Sequence, residues 1–118
     1  MTNRYRLYYP ALIVAALSAP PSASASVPTL SDCLEASDFI ANAALSRDNG
    51  MTRAAFITRL TGDFAAIRAF PAELRWFVRD EDDERFLENA AERVFDVPST
   101  PADHRREFLR ACFERLTI

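Results

Sequence analysis

Asp32-Cys33-Leu34-Glu35-Ala36-Ser37-Asp38-Phe39-Ile40-Ala41-Asn42-Ala43-Ala44, residues 32–44, is the stretch that decides the fold. Asp32-x-x-Glu35 reads as a capping box, with an acceptor at the cap and a carboxylate three residues on. Cys33, Ala36, Ile40, Ala43 and Ala44 recur at helical spacing on one face. That face is narrow and rich in alanine, so a second helix can approach closely. Asp48-Asn49-Gly50 ends the helix, Asn49 or Gly50 taking the left-handed stop conformation. Cys33 lies at its start. The one other cysteine, Cys112, lies near the end of the chain.

Working outward, Thr52 caps a second helix from about Arg53 to Ala69, striped by Phe56, Ile57, Leu60, Phe64 and Ile67. The stripe keeps its phase through Gly62, at a cost of about 1 kcal/mol. A break at Gly62-Asp63 is the competing reading. Pro71 starts a third helical stretch to about Arg79, grouping Leu74, Phe77 and Val78. The acidic run Asp80 to Glu84 either breaks the chain or forms the first turn of a helix carrying Phe86, Leu87, Ala90, Ala91 and Val94 to near Asp96. After Val97-Pro98-Ser99, Thr100-Pro101-x-Asp103 starts a last helix with Phe108, Leu109, Cys112 and Leu116 on one face. No segment alternates β-branched residues. The expectation is an all-α fold: a small antiparallel bundle of four to five helices, closed by a Cys33–Cys112 disulfide.

The N-terminal segment reads as an export signal. Arg4 and Arg6 precede an apolar run, Leu7 to Leu17, and Ala23-Ser24-Ala25 offers a small-residue cleavage site. The run is too short to span a bilayer. Asp32 before Cys33, and the prolines Pro20, Pro21 and Pro28, argue against a lipid-modified cysteine. The expected organisation is therefore a signal peptide over residues 1–25, a flexible lead over 26–31 and one helical domain over 32–118. Cleavage leaves 93 residues with 12 arginines against 17 acids, a net charge of −5. A net acidic domain disfavours nucleic acid or an anionic membrane as its partner. No lysine occurs anywhere, which fits a GC-rich coding sequence. An even cysteine count behind an export signal implies a disulfide and a periplasmic or secreted location.

Chemistry is sparse. The one histidine, His104, is expected to be a solvated residue at a helix start, with no serine or cysteine in an activating context. Asp80, Asp82 and Glu84 take the first alternating positions of a calcium loop, but Arg85 stands where glycine is needed and Ala91 where glutamate is needed. A solvated acidic turn, with Glu81 and Arg85 as an i,i+4 pair, is the expectation. Arg105 is expected either to snorkel at the bundle end or to pair with an acid such as Asp48 or Asp96. No metal, cofactor or catalytic residue is expected. Trp76 projects away from Leu74 and Val78 on the expected third helix. With Arg79 and Asp80 it forms the candidate partner-binding set, although covering the rim of the core is the simpler role for the tryptophan.

Cys33, Arg47-Asp48-x-Gly50, Val94-Phe95-x-x-Pro98-x-x-Pro101 and Phe108-x-x-x-Cys112 together resemble a loose group of small secreted two-cysteine helical proteins of Gram-negative bacteria. The resemblance implies a helical fold and a periplasmic location, and it implies no activity. The functional expectation is a non-enzymatic binding or interaction protein, its partner another periplasmic protein. The alternatives are a periplasmic stress holdase and an immunity or inhibitor protein against a secreted toxin.

Overall fold

The computed structural model describes residues 28–116. The expected signal peptide lies outside them. The described residues form four helices, not five: α1 (Leu30–Asp48), α2 (Arg53–Ile67), α3 (Glu81–Asp96) and α4 (Pro101–Leu116), with one 3-10 turn at Ala72–Leu74. They contain no strand.

α1 begins two residues earlier than its apolar periodicity suggests. Thr29 is the cap: its hydroxyl accepts from the Asp32 N–H at 3.1 Å, and the Asp32 carboxylate accepts from the Thr29 N–H at 3.0 Å. Asp32 is thus the far member of the capping box and not its first residue. The lead is correspondingly shorter, and Pro28 is already buried. At the other end Gly50 adopts φ +100°, open to glycine at no steric cost. Its N–H reaches the Arg47 carbonyl, and the Met51 N–H reaches that of Ser46, the paired bonds of a Schellman stop.

α2 runs unbroken through Gly62, so the competing break does not occur. Thr52 caps it, with its hydroxyl 3.1 Å from the Ala55 N–H. Leu60 and Phe64 are its buried positions, and Ile57, Phe56 and Ile67 pack against the same core.

α1 is the hub. It buries Cys33, Ala36, Ser37, Ile40, Ala43 and Ala44, and both α3 and α4 pack on it, while α2 packs on α3. Three links tie α1 to α4 and its approach: the Cys33–Cys112 disulfide, the Asp38–Arg105 ion pair at 2.8 Å, and Arg47 to the Ser99 carbonyl at 2.7 Å. Arg105 therefore finds Asp38, not Asp48 or Asp96.

Arg47 closes the end of α1 opposite the disulfide. One guanidinium nitrogen donates to the carbonyls of Val94 and Val97 at 2.7 and 3.2 Å, and the other reaches Ser99. These carbonyls leave the end of α3 and its linker without helical partners. His104 adds a second bond to the Val97 carbonyl, from Nε2 at 2.9 Å. A carbonyl only accepts, so this nitrogen carries the proton. The histidine is 3% exposed, which corrects the expectation of a solvated side chain. Its place between the linker and the core is set by tertiary packing that helical phase alone does not report.

Two stability outcomes follow. The disulfide closes a loop with a sequence separation of 79 residues, for which chain entropy gives about 4.5 kcal/mol. Urea denaturation of the C33S/C112S double variant should show a loss of that order; a loss below about 1 kcal/mol would mean the unfolded chain is already compact. At Gly62 an added Cβ meets nothing within 4 Å. Gly62→Ala should raise the unfolding free energy by about 0.5–1 kcal/mol.

Candidate functional site

The segment between α2 and α3 departs most from the sequence expectation. Pro71 to Arg79 does not form a helix. After the 3-10 turn Arg75 itself is extended (φ −81°, ψ 145°), and the chain bends through residues 75–77. The physical reason lies in three consecutive apolar residues. Trp76, Phe77 and Val78 would spread over more than half of a helix's circumference, and no single core face could take all three. An irregular, bent segment places each separately. Phe77 and Val78 are fully buried, and Trp76 packs edge-on against Phe39 with ring centroids 5.9 Å apart.

Arg75 replaces the missing helical hydrogen bonds. Its Nε donates to the Phe70 carbonyl at 2.7 Å, one terminal nitrogen to the Arg79 carbonyl at 3.0 Å, and the other to the Arg68 carbonyl at 3.1 Å. One guanidinium thus gathers both ends and the middle of the loop. The loop closes around its own side chain, as compact surface loops of this size do. Its rim is anchored by Arg68, which pairs with the Glu84 carboxylate through two bonds at 2.8 and 2.6 Å.

What this frame leaves outside is apolar. Phe70 is 57% exposed and Leu74 70% exposed. Leu74 was expected in the core beside Phe77 and Val78; the turn at Ala72–Leu74 points it to solvent instead. Exposed carboxylates flank the tip: Glu73 within the loop, and Asp80, Glu81 and Asp82 where it enters α3.

The three residues singled out from the sequence form the root of this loop. The Trp76 Nε1 donates to Glu35 at 2.9 Å, and its ring is half-buried. Arg79 holds Asp32 at 2.7 Å, and its N–H donates to the Asp83 carboxylate at 3.1 Å. Asp80 caps α3, accepting from the Asp83 N–H at 2.9 Å. All three are close together, and each is engaged in holding the loop against α1 and α3. Phe70 and Leu74 carry the exposed surface that Trp76 was expected to provide. The one sequence signal for it was a proline-started segment with an arginine just ahead of three consecutive apolar residues.

The acidic turn is not uniformly solvated. Asp83 is 1% exposed and Glu84 is buried, while Asp82 meets Arg85 at 3.5 Å in place of a Glu81–Arg85 pair. Asp83 lies between the Arg79 N–H and Arg115, whose Nη2 donates to it at 3.0 Å. The Arg115 guanidinium rests over the Phe86 ring, 4.3 Å from its centroid. Its Nη1 is buried without a hydrogen-bond partner among the described residues, and the negative ring face offers partial compensation. No cluster of three or more His, Cys, Asp or Glu suited to a metal ion occurs among the described residues. None of their helices is long and apolar enough to cross a membrane.

Burial pushes the Asp83 carboxyl above its ordinary value, with Asp80 adding to the shift and Arg79 and Arg115 opposing it. Burial also raises Asp32, but the Thr29 N–H and Arg79 outweigh it and hold that carboxyl below its ordinary value. The ion pair with Arg93 lowers Glu107. Comparison with protein-family models, with curated proteins and with solved structures gives no match.

The signs predict a particular pH profile. A raised Asp83 contributes stability that is fully present below the ordinary carboxylate value and lost as pH rises through its folded value. Asp32 and Glu107 contribute stability that is present above the ordinary value and lost as pH falls through their folded values. Urea midpoints should therefore rise on mild acidification from neutrality and fall once the ordinary carboxylate range, about 4, is passed. Asp83→Asn should remove the rise. Asp32→Asn should weaken the later fall and lower stability at neutral pH. A D83N profile that overlays the parent would show that Asp83 does not titrate differently on folding.

Proposed function

We propose that this chain is a non-enzymatic binding protein of an extracytoplasmic compartment, periplasmic or secreted, that engages another protein through Phe70 and Leu74. The construction of the loop carries this reading. A loop closed by Arg75 presents two large apolar side chains in a fixed arrangement, so little ordering cost remains when a partner covers them. Apolar side chains held rigidly inside a polar rim are the usual anchors of protein interfaces. The rim here is acidic, through Glu73, Asp80, Glu81 and Asp82. The partner is therefore a protein with an apolar recess edged by lysine or arginine.

The same chemistry suits an immunity or inhibitor protein that covers a basic toxin, and the acidic rim favours that variant. A stress holdase that opens in acid would have to act below the ordinary carboxylate range, where Asp32 and Glu107 lose their contribution to stability, because the raised Asp83 works in the opposite sense above it. We also read α1 and α4 as antiparallel, on the support of their cross-links: Cys33 to Cys112, Asp38 to Arg105 and Arg47 to Ser99 run in opposite chain order. The export signal over residues 1–25 and the likeness to small secreted two-cysteine proteins belong to the same reading.

The decisive experiment separates folding from binding. Phe70→Ser with Leu74→Ser should shift stability by no more than about 0.5 kcal/mol, as surface changes do. A photo-crosslinking residue at position 74 should give one discrete protein adduct in exporting cells. The same residue at the exposed Thr58 should not, and Phe70→Ser should remove the adduct at 74. Equal labelling from both positions, or an adduct indifferent to Phe70→Ser, would count against a docking role for the loop.

A further inference from the structure

We propose that Asn49-Gly50, at the end of α1, is a deamidation site gated by the fold: closed while the helix stop is formed, open once that end comes apart. It is the one Asn-Gly pair in the chain. Glycine has no Cβ, so its backbone nitrogen reaches the preceding side-chain amide with little obstruction. The Gly50 nitrogen loses its proton and bonds to Asn49 Cγ. The bond from Cγ to the amide nitrogen breaks, and ammonia leaves a succinimide ring. Water then adds to one of the two ring carbonyls, and the bond from that carbonyl to the ring nitrogen breaks. The product is aspartate or isoaspartate at position 49. The sequence of steps consumes only water, and Asn49 is exposed to it.

The folded backbone withholds the nucleophile. Ring closure needs the Gly50 nitrogen on the Cβ side of the Asn49 Cα–C bond. At ψ 9° it lies beside the backbone nitrogen of Asn49 instead, so closure demands a large turn about that bond. The Gly50 N–H also donates to the Arg47 carbonyl at 3.0 Å, and the Met51 N–H to that of Ser46 at 2.9 Å. Turning Asn49 breaks both. Reaction therefore waits for the end of α1 to open, and its rate scales with the population of that open form. Once made, the change is not undone by refolding. Isoaspartate lengthens the main chain by one carbon at the stop, so its paired bonds lose their register. Either product adds a negative charge at the C-terminus of a helix, the end that disfavours it. That charge falls close in sequence to Arg47, which holds α1 to the linker before α4. A molecule that has opened at this point is thereby marked.

Peptide mapping by mass spectrometry tests this after incubation in mildly alkaline buffer, with the disulfide-bonded protein kept folded or held unfolded in urea. Asn42 and Asn89 are internal references: both are exposed, and each precedes an alanine within a helix. In urea, position 49 should convert well ahead of both. In the folded protein its conversion should be at least about tenfold slower, the factor set by the closed stop. Arg47→Gln loosens the end of α1 and should raise the folded-state rate severalfold while leaving the rate in urea unchanged. In the unmutated protein, urea below the unfolding transition should raise the rate in step with hydrogen exchange at the Gly50 and Met51 amides. That second measurement stands whether or not R47Q folds. Conversion in urea no faster at position 49 than at Asn42 and Asn89 would overturn the site. Equal rates in the folded and unfolded chain, or a rate that does not follow exchange at Gly50 and Met51, would overturn the gate.

Discussion

The fold hangs on α1, and α1 has few large side chains with which to hold it. Its buried face is cysteine, alanine and serine around a single isoleucine, Ile40. Such a face lets neighbouring backbones come close, but each alanine removes little apolar area from water. A domain of this size starts with a thin margin. The hub is therefore fastened at its ends. The disulfide holds the first turn of α1 to the last turns of α4, and Arg47 holds its final turn to the α3–α4 linker. Between them the register of α1 against α4 is fixed without bulky interdigitation. α3 and α4, which both lean on this slender hub, meet each other through long side chains: the Phe86–Phe108 contact and the Arg93–Glu107 and Asp83–Arg115 ion pairs.

Arginine does a kind of work here that lysine could not. Arg47 and Arg75 each bind three backbone carbonyls from one planar group. An ammonium is a compact charge on a flexible stem and has no such fork. Both arginines serve chain that has left regular structure: the linker after α3 and the loop after α2. Irregular backbone must satisfy its carbonyls somehow, and in this protein guanidinium groups do so where helices do not. The absence of lysine fits a coding bias, yet these two sites would not survive replacement by lysine unchanged.

What was legible in the sequence was local. The helix stops, the Thr52 and Thr100 caps, the α2 stripe and the cysteine phases all depend on residues within a turn or two of each other. The Cys33–Cys112 link was legible because only one pairing exists. Four features were not. The cap of α1 moved to Thr29 because two capping patterns overlap, Thr29-x-x-Asp32 and Asp32-x-x-Glu35, and the first also frees Asp32 to meet Arg79. Leu74 left the core because Trp76, Phe77 and Val78 compete for it and the irregular path after the 3-10 turn buries more of them. His104 and Asp83 went inside because partners outside their own helices, Val97 in the linker and Arg115 on α4, wait there. Their sequence neighbourhood is polar in each case, and polarity read along the chain suggested solvent.

The burial of Asp83 bears on function. A cluster of five acids looks like a device for opening in acid, because protonation removes its charge. Only the acids that fold out of water or into ion pairs couple to stability, however, and they do not all couple in the same sense. Asp82 and Glu81 are exposed. Asp83 is buried at a cost that protonation relieves, so it strengthens the folded state as pH drops, while Asp32 and Glu107 weaken it only below the ordinary carboxylate range. Asp83 is also the residue that receives the Arg79 N–H and so ties the Phe70–Leu74 loop to α3. The joint that holds the exposed tip in place thus includes a buried carboxyl whose protonation the folded state favours. The Phe70–Leu74 tip is presented by a loop that Arg79 fastens to both neighbouring helices, through Asp32 of α1 and Asp83 of α3.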